Sequence, residues 1–246
     1  MDHKKNHKRR IWLIVAALAL ILIAGAFAWY VSDYYHAEPE ALELFSDSRP
    51  DIQVKTTTNQ LVFSPEHPRA GLIFYPGGKV ETEAYAPLMT ACAERGILCV
   101  LMPMPFHLAV LNENAADGVP EQFPEISDWY IGGHSLGGAM AAMYAAEHAD
   151  EFSGVVLLGA YSTANLRKTN LRVLSLYGSE DGVMDREAYR KNRPNLPDST
   201  DEFVIEGGNH AGFGCYGEQA GDGSATVTAS EQQTLTADRI DQWMGR

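Results

Sequence analysis

Residues 130–142 read YIGGHSLGGAMAA, one serine wedged between glycines, with an apolar run before it and an alanine-rich run after it. Gly133-His134-Ser135-Leu136-Gly137 fits the pattern G-x-S-x-G. A strand-like stretch, DWYIGG (128–133), leads in, and a helix-like stretch, Leu136–His148, leads out. In that setting the pattern predicts a strained strand-to-helix elbow that lifts the serine hydroxyl above the carboxyl edge of a sheet. Gly133 and Gly137 leave room for neighbouring backbone, while Gly138, Ala139, Ala141 and Ala142 let the following helix pack close to the sheet. An elbow of this kind needs parallel strands on either side of it.

Those strands are legible as short apolar runs spaced by helix-length amphipathic ones. The runs are GLIFY (71–75), ILCVLM (97–102), DWYIGG (128–133), GVVLLG (154–159), RVLSLYG (172–178) and DEFVIEG (201–207). Runs apolar on both faces suit parallel strands covered from both sides, so the expected class is α/β, a mostly parallel doubly wound sheet with helices on both faces. Helices are expected at Glu83–Arg95, Phe106–Asn114, Leu136–His148, Asp185–Arg193 and Ser230–Met244. Upstream, IQVKT (52–56) and QLVFS (60–64), joined by Thr57-Thr58-Asn59, read as an antiparallel hairpin at the edge. Long loops at 115–127 and 207–228 have room for function.

The first thirty residues differ from all of this. MDHKKNHKRR (1–10) carries five Lys/Arg against one Asp and is expected as a cytoplasmic N-terminus; Ile11–Val31 then runs without a charge. As a helix those residues rise about 31 Å, the thickness of a bilayer core. Positive residues ahead of the segment keep that end in the cytoplasm, so a single-pass anchor with an extracytoplasmic domain is expected. Ala26-Phe27-Ala28 also offers a small-x-small cleavage site, and secretion after signal cleavage is the alternative. Residues 32–49 read as a polar stalk and 50–246 as the domain.

The net charge of −13 rests on 32 Asp/Glu against 19 Lys/Arg, five of which precede the apolar segment. So acidic a domain argues against nucleic acid and anionic lipid as partners. Cys92, Cys99 and Cys215 have no metal-ligand spacing, so neither a zinc site nor a disulfide scaffold is indicated. Glu218–Thr228, EQAGDGSATVT, lacks the alternating ligands of a calcium loop and reads as structural. No metal or organic cofactor is implied.

A serine hydroxyl needs a base to take its proton, and the base needs an acid to fix its tautomer. After an elbow of this type the chain order is serine, acid, histidine. Strand RVLSLYG ends in Ser179-Glu180-Asp181-Gly182-Val183, which makes Asp181 the expected acid with Glu180 as its rival and Asp185 as a helix cap. His210, in GGNHAGFG (207–214), is the only histidine downstream. His134, beside the serine, suits packing or orientation better than proton transfer. Two N–H donors must hold a developing oxyanion. Leu136 supplies the first, and Gly78 or Lys79, in Tyr75-Pro76-Gly77-Gly78-Lys79, the second. Phe106, His107, Tyr161, Met184, Phe213 and Tyr216 follow predicted strand ends and are candidate substrate walls.

From about Ala70 to Trp243 the chain resembles the α/β-hydrolase superfamily, within it the small, lidless dienelactone-hydrolase-like and esterase members. GHSLGG, GSEDGV and GGNHAGFG carry the resemblance most strongly, whereas YPGG departs from the more usual His-Gly start of the oxyanion loop. The resemblance implies Ser135 as nucleophile, Asp181 as acid and His210 as base. The 46 residues from Ser135 to Asp181 leave no room for a helical lid, so an open, shallow site is expected. The activity that follows is hydrolysis of a small-molecule carboxylic ester. Thioesterase, acyltransferase or peptidase action on the same triad, or a non-catalytic binding domain of this fold, are the rival readings.

Overall fold

The computed structural model describes residues 2–45 and 51–246 and separates them into two compact units, divided after Tyr34. The first unit is a single helix, α1 (Asp2–Ser32). Within it Arg10–Ser32, where an 18-residue window reaches a mean hydropathy of 2.8, is long and apolar enough to cross a membrane. The second unit is built on one sheet. Its strands are β1 (Ile52–Thr56), β2 (Leu61–Pro65), β3 (Ala70–Tyr75), β4 (Ile97–Leu101), β5 (Trp129–His134), β6 (Gly154–Leu158), β7 (Arg172–Gly178) and β8 (Asp201–Ile205).

Their spatial order is β1-β2-β4-β3-β5-β6-β7-β8, with β1 and β2 antiparallel and every pair from β4 to β8 parallel. The parallel strands are apolar on both faces because both faces are covered. On one face Leu72, Phe74, Tyr130 and Val156 pack with α3 (Ala86–Ala93) and α6 (Ala229–Met244). On the other, Ile73, Ile131, Val155 and Leu157 pack with α4 (Leu136–Glu147). A further helix, α5 (Arg186–Asn192), begins at the Asp185 carboxylate, which accepts the N–H groups of Glu187 and Ala188. Thr228 and Glu231 cap α6 reciprocally.

Two expectations need correction. Phe106–Asn114 is not a helix but two short 3-10 turns, Pro105–His107 and Ala109–Leu111. Phe106 and His107 sit at φ 53° and 57°, left-handed values that stop a right-handed helix. The expected stalk is also folded onto the domain from Tyr35 onward. Tyr35 forms a bridge with Val80, Pro39–Glu43 forms a short helix, α2, and Ala41 is fully buried. Backbone pairing holds this segment together with the packing of Tyr35, Ala37, Leu44 and Phe45 against the core. Its last residues, 46–49, and Pro50, the expected start of the domain, lie outside the described residues.

Strand register brings the functional loops together. Tyr75 pairs with Gly133, His134 with Leu158, and Gly178 with Ile205. The chain therefore leaves β3, β5, β7 and β8 along one carboxyl edge, the edge at which open α/β sheets bind ligands. No lid is inserted between α4 and β7.

Candidate active site

Ser135 joins β5 to α4 at φ 51° and ψ −121°, a conformation costly for a residue with a side chain. The turn is held by Ser135 N–H to the Leu158 carbonyl (2.9 Å) and Ala139 N–H to the Ser135 carbonyl (3.1 Å). It is sharp enough to bring Gly137 onto the end of β3, where a Cβ would fall 2.2 Å from the Pro76 carbonyl oxygen. Only glycine fits at that point. Leu136, the first residue of α4, has one of the N–H groups with no acceptor inside its helix.

Asp181 lies just past β7 and His210 just past β8, both closed off from solvent. Asp181 Oδ1 accepts the backbone N–H groups of Val183 (3.0 Å) and Met184 (2.8 Å). Its Oδ2 lies 2.9 Å from His210 Nδ1. Burial pushes the Asp181 carboxyl up, but the His210 hydrogen bond and charge, with the two backbone donors, outweigh it and hold the group below its ordinary value. A carboxylate there fixes the proton on His210 Nδ1 and leaves the lone pair on Nε2. Nε2 is buried without a hydrogen-bond partner, and no hydrogen bond joins it to Ser135. Contacts of that kind are often long in the absence of substrate and tighten on binding. Glu180 is exposed and accepts the Ser179 hydroxyl, outside this arrangement.

Beneath His210 lies a layer of rings that sequence reasoning did not assemble. His134 packs against His210 with ring centroids 4.4 Å apart, and against Phe213 at 5.5 Å. The Tyr85 hydroxyl is hydrogen-bonded to His134 Nδ1 at 2.7 Å and accepts the Gly77 N–H at 3.0 Å. Burial, and then the neighbouring His210, hold His134 well below the ordinary histidine value. It therefore stays neutral and offers His210 a flat, uncharged support. Only its place next to the serine could have signalled this from sequence.

Of the two candidates for the second oxyanion donor, Lys79 has its N–H occupied by the His107 carbonyl at 2.8 Å. The Gly78 N–H has no acceptor among the described residues, and Gly78 lies against the Leu136 side chain. This leaves Gly78 beside Leu136.

The candidate substrate walls divide. Tyr161 and Met184 line a cavity of about 350 Å³ beside Ser135, together with Leu136, Met140 and Val183. Phe213 and Tyr216 do not: both are buried in the core, where Phe213 packs on His134 and Tyr216 on Tyr85. Phe106 is exposed and His107 bonds the oxyanion loop; neither lines that cavity. A larger cavity of about 600 Å³, lined in part by Gln60, Met104 and Asn112, includes none of Ser135, Asp181 and His210.

Solved structures share this architecture. Est1E from Butyrivibrio proteoclasticus, with ferulic acid bound, is 14% identical, with 80% of this chain and 96% of that one aligned at a TM-score of 0.58. A dienelactone hydrolase from Anabaena variabilis is 15% identical, over 78% of this chain and 97% of that one, at 0.57. Carboxyl esterase 2 from the fungus Tuber melanosporum is 11% identical, over 85% and 91%, at 0.59. At such identities the likeness is one of fold. No curated protein matches the sequence. The pattern described as "Alpha/beta hydrolase family" matches residues 71–234, a span that includes Gly78, Ser135, Asp181 and His210, and the chain belongs to that family.

Proposed function

We propose that the protein is a serine hydrolase that cleaves a carboxylic ester through an acyl-enzyme. Ser135 Oγ attacks the ester carbonyl while His210 Nε2 takes its proton, and Asp181 holds the imidazole in the receptive tautomer and stabilises its charged form. The N–H groups of Leu136 and Gly78 receive the oxyanion, with the positive end of α4 aimed at the same point. Protonated His210 then gives its proton to the departing alcohol. Water, activated by the same histidine, releases the acid.

The observation that carries this reading is the buried Asp181–His210 hydrogen bond at the sheet edge where Ser135 occupies its strained elbow. The esterase and dienelactone hydrolase among the structures of like fold support an ester as the bond cleaved. A cavity of about 350 Å³ without a lid suits short-chain esters, or bulky ones that stay partly in solvent. The apolar part of α1 serves as a single-pass membrane anchor with the domain on the extracytoplasmic side, supported by its length and by the Lys/Arg cluster in the first turns of the same helix. The full chain in detergent should hydrolyse p-nitrophenyl acetate, and Ser135→Ala should lose that activity while remaining folded. Undiminished turnover in the variant would sink the proposal.

A further inference from the structure

The loop read from sequence as structural, 218–228, contains a carboxylate whose partners are all backbone N–H groups. Asp222 Oδ1 accepts from Gly182 (3.0 Å), His210 (3.2 Å) and Gly223 (2.9 Å), and Oδ2 accepts from Ala211 (2.8 Å). Gly182 directly follows the acid of the triad, His210 is its base, and Ala211 follows the base. One side chain thus ties together the two loops that must meet for the Asp181–His210 hydrogen bond to form. Hydrogen bonds to an ionised acceptor are roughly twice as strong as neutral ones, so the charge on Asp222 matters to the tie.

The surroundings fit a clamp. Closer to the strands the two loops bond directly, through Glu180 N–H to the Gly208 carbonyl at 2.8 Å. Beyond Asp181 and Asn209, toward the tips, Asp222 makes the connection. The backbone around it is pressed onto the acid loop, where a Cβ on Gly223 would fall 2.0 Å from the Glu180 carbonyl oxygen. From behind, Asn209 donates its side-chain amide to the Gly223 carbonyl (2.9 Å) and its backbone N–H to Gln232 of α6 (3.0 Å). The hydrogen bonds of the Asp222 carboxylate go to backbone N–H groups, and none goes to the imidazole ring.

We propose that Asp222 is a positioning residue that sets the Asp181–His210 geometry by clamping the backbone of both loops, an inference that rests on the hydrolase reading above. A displacement of about 1 Å at a reacting group can cost about 100-fold in rate, so loosening these loops should act on turnover more than on binding.

The test uses the full chain in detergent micelles, with p-nitrophenyl acetate kinetics across pH and the far-downfield proton resonance of His210 Nδ1–H. Asp222→Ala should lower kcat about 10–100-fold, leave KM within about threefold, and move the acid limb of the pH–rate profile. Asp222→Asn keeps one acceptor oxygen but faces Ala211 N–H with a donor, and should fall between wild type and alanine. In both variants the His210 resonance should broaden or vanish.

A folded Asp222→Ala with kcat within about threefold of wild type and an unshifted profile overturns the proposal. Should the alanine variant fail to fold, Asp222→Asn decides: a lowered kcat with a shifted profile supports the clamp, and unchanged values overturn it. If the wild type neither hydrolyses esters nor takes up a fluorophosphonate, the hydrolase reading falls by itself. The clamp is then judged by the resonance alone, its loss in Asp222→Asn supporting it and an unchanged line overturning it.

Discussion

Asp181 Oδ2 and His210 Nδ1 are 2.9 Å apart, and solvent reaches neither side chain. Because Oδ1 is already occupied by two backbone donors, Oδ2 is the oxygen left for the imidazole. An amide in its place presents the wrong group on one side or the other. Asp181→Asn should therefore lower kcat by about 10³–10⁴-fold, the scale on which the orienting carboxylate of such a triad acts. Glu180→Gln should change kcat by less than about threefold, since surface substitutions away from special features have small effects. Steady-state kinetics on both variants checks the assignment of the acid.

Buried neutral histidine makes stability depend on pH. His134 is held well below its unfolded value of about 6.5, so below that pH the unfolded chain binds a proton that the folded one refuses. Stability is therefore present above about pH 6.5 and falls as pH drops, by up to about 1.4 kcal/mol per unit, until the folded value is passed. His107, lowered by its partial burial, adds in the same direction. Asp181, held below its ordinary value, contributes stability that is lost only at lower pH, from about 3.9 downward. Urea melts at pH 7 and pH 5 should show the loss, and His134→Asn should flatten the difference while lowering stability at pH 7. An equal slope in the variant would remove His134 as its cause.

The Tyr85 hydroxyl serves the oxyanion loop and the ring layer together, through Gly77 N–H and His134 Nδ1. Tyr85→Phe leaves both groups buried and unpaired, at a cost of about 1–3 kcal/mol. Because Gly77 precedes Gly78, the proposed oxyanion donor, kcat should fall with KM little changed. Thermal melts and kinetics on the same preparation test both.

The segment from Tyr35 braces that loop from the other side. Tyr35 donates its N–H to the Lys79 carbonyl at 2.7 Å, and its own carbonyl accepts the Glu81 N–H at 2.9 Å. A chain beginning at residue 46 should have at least about tenfold lower kcat and a lower melting temperature than one beginning at residue 33. Equal activity of the two would show that the bridge does not hold the oxyanion loop.

Much of this molecule is legible in its sequence for one physical reason. Strands covered on both faces read as unbroken apolar runs, and runs such as GVVLLG and RVLSLYG delimit β6 and β7 almost to the residue. Residue type and order at strand ends single out Ser135, Asp181 and His210, and the fold puts Ser135 in the elbow and Asp181 within 2.9 Å of His210. What escaped depends on backbone. Phe106 and His107 form no helix because the His107 carbonyl is turned toward the Lys79 N–H, a contact between distant positions that local propensity does not encode. The same contact withdraws Lys79 as an oxyanion donor. Residues 35–45 look like a spacer because their apolar side chains, Tyr35, Ala37, Ala41, Leu44 and Phe45, are scattered among acidic ones, and main-chain hydrogen bonds complete the hold. Asp222 looks like one more acidic loop residue, since its partners are N–H groups that topology alone brings together. Phe213 and Tyr216, placed in a glycine-rich loop after a strand end, read as substrate walls until His134 and Tyr85 are seen to receive them.

The most direct test of Ser135 as nucleophile is covalent capture. The full chain is treated with a fluorophosphonate, digested, and the adduct located by mass spectrometry. The predicted result is a single phosphonylated site at Ser135, formed fast in the wild type, slowly in His210→Ala and not at all in Ser135→Ala. An adduct on another residue, or equal labelling of the Ser135→Ala variant, would contradict it.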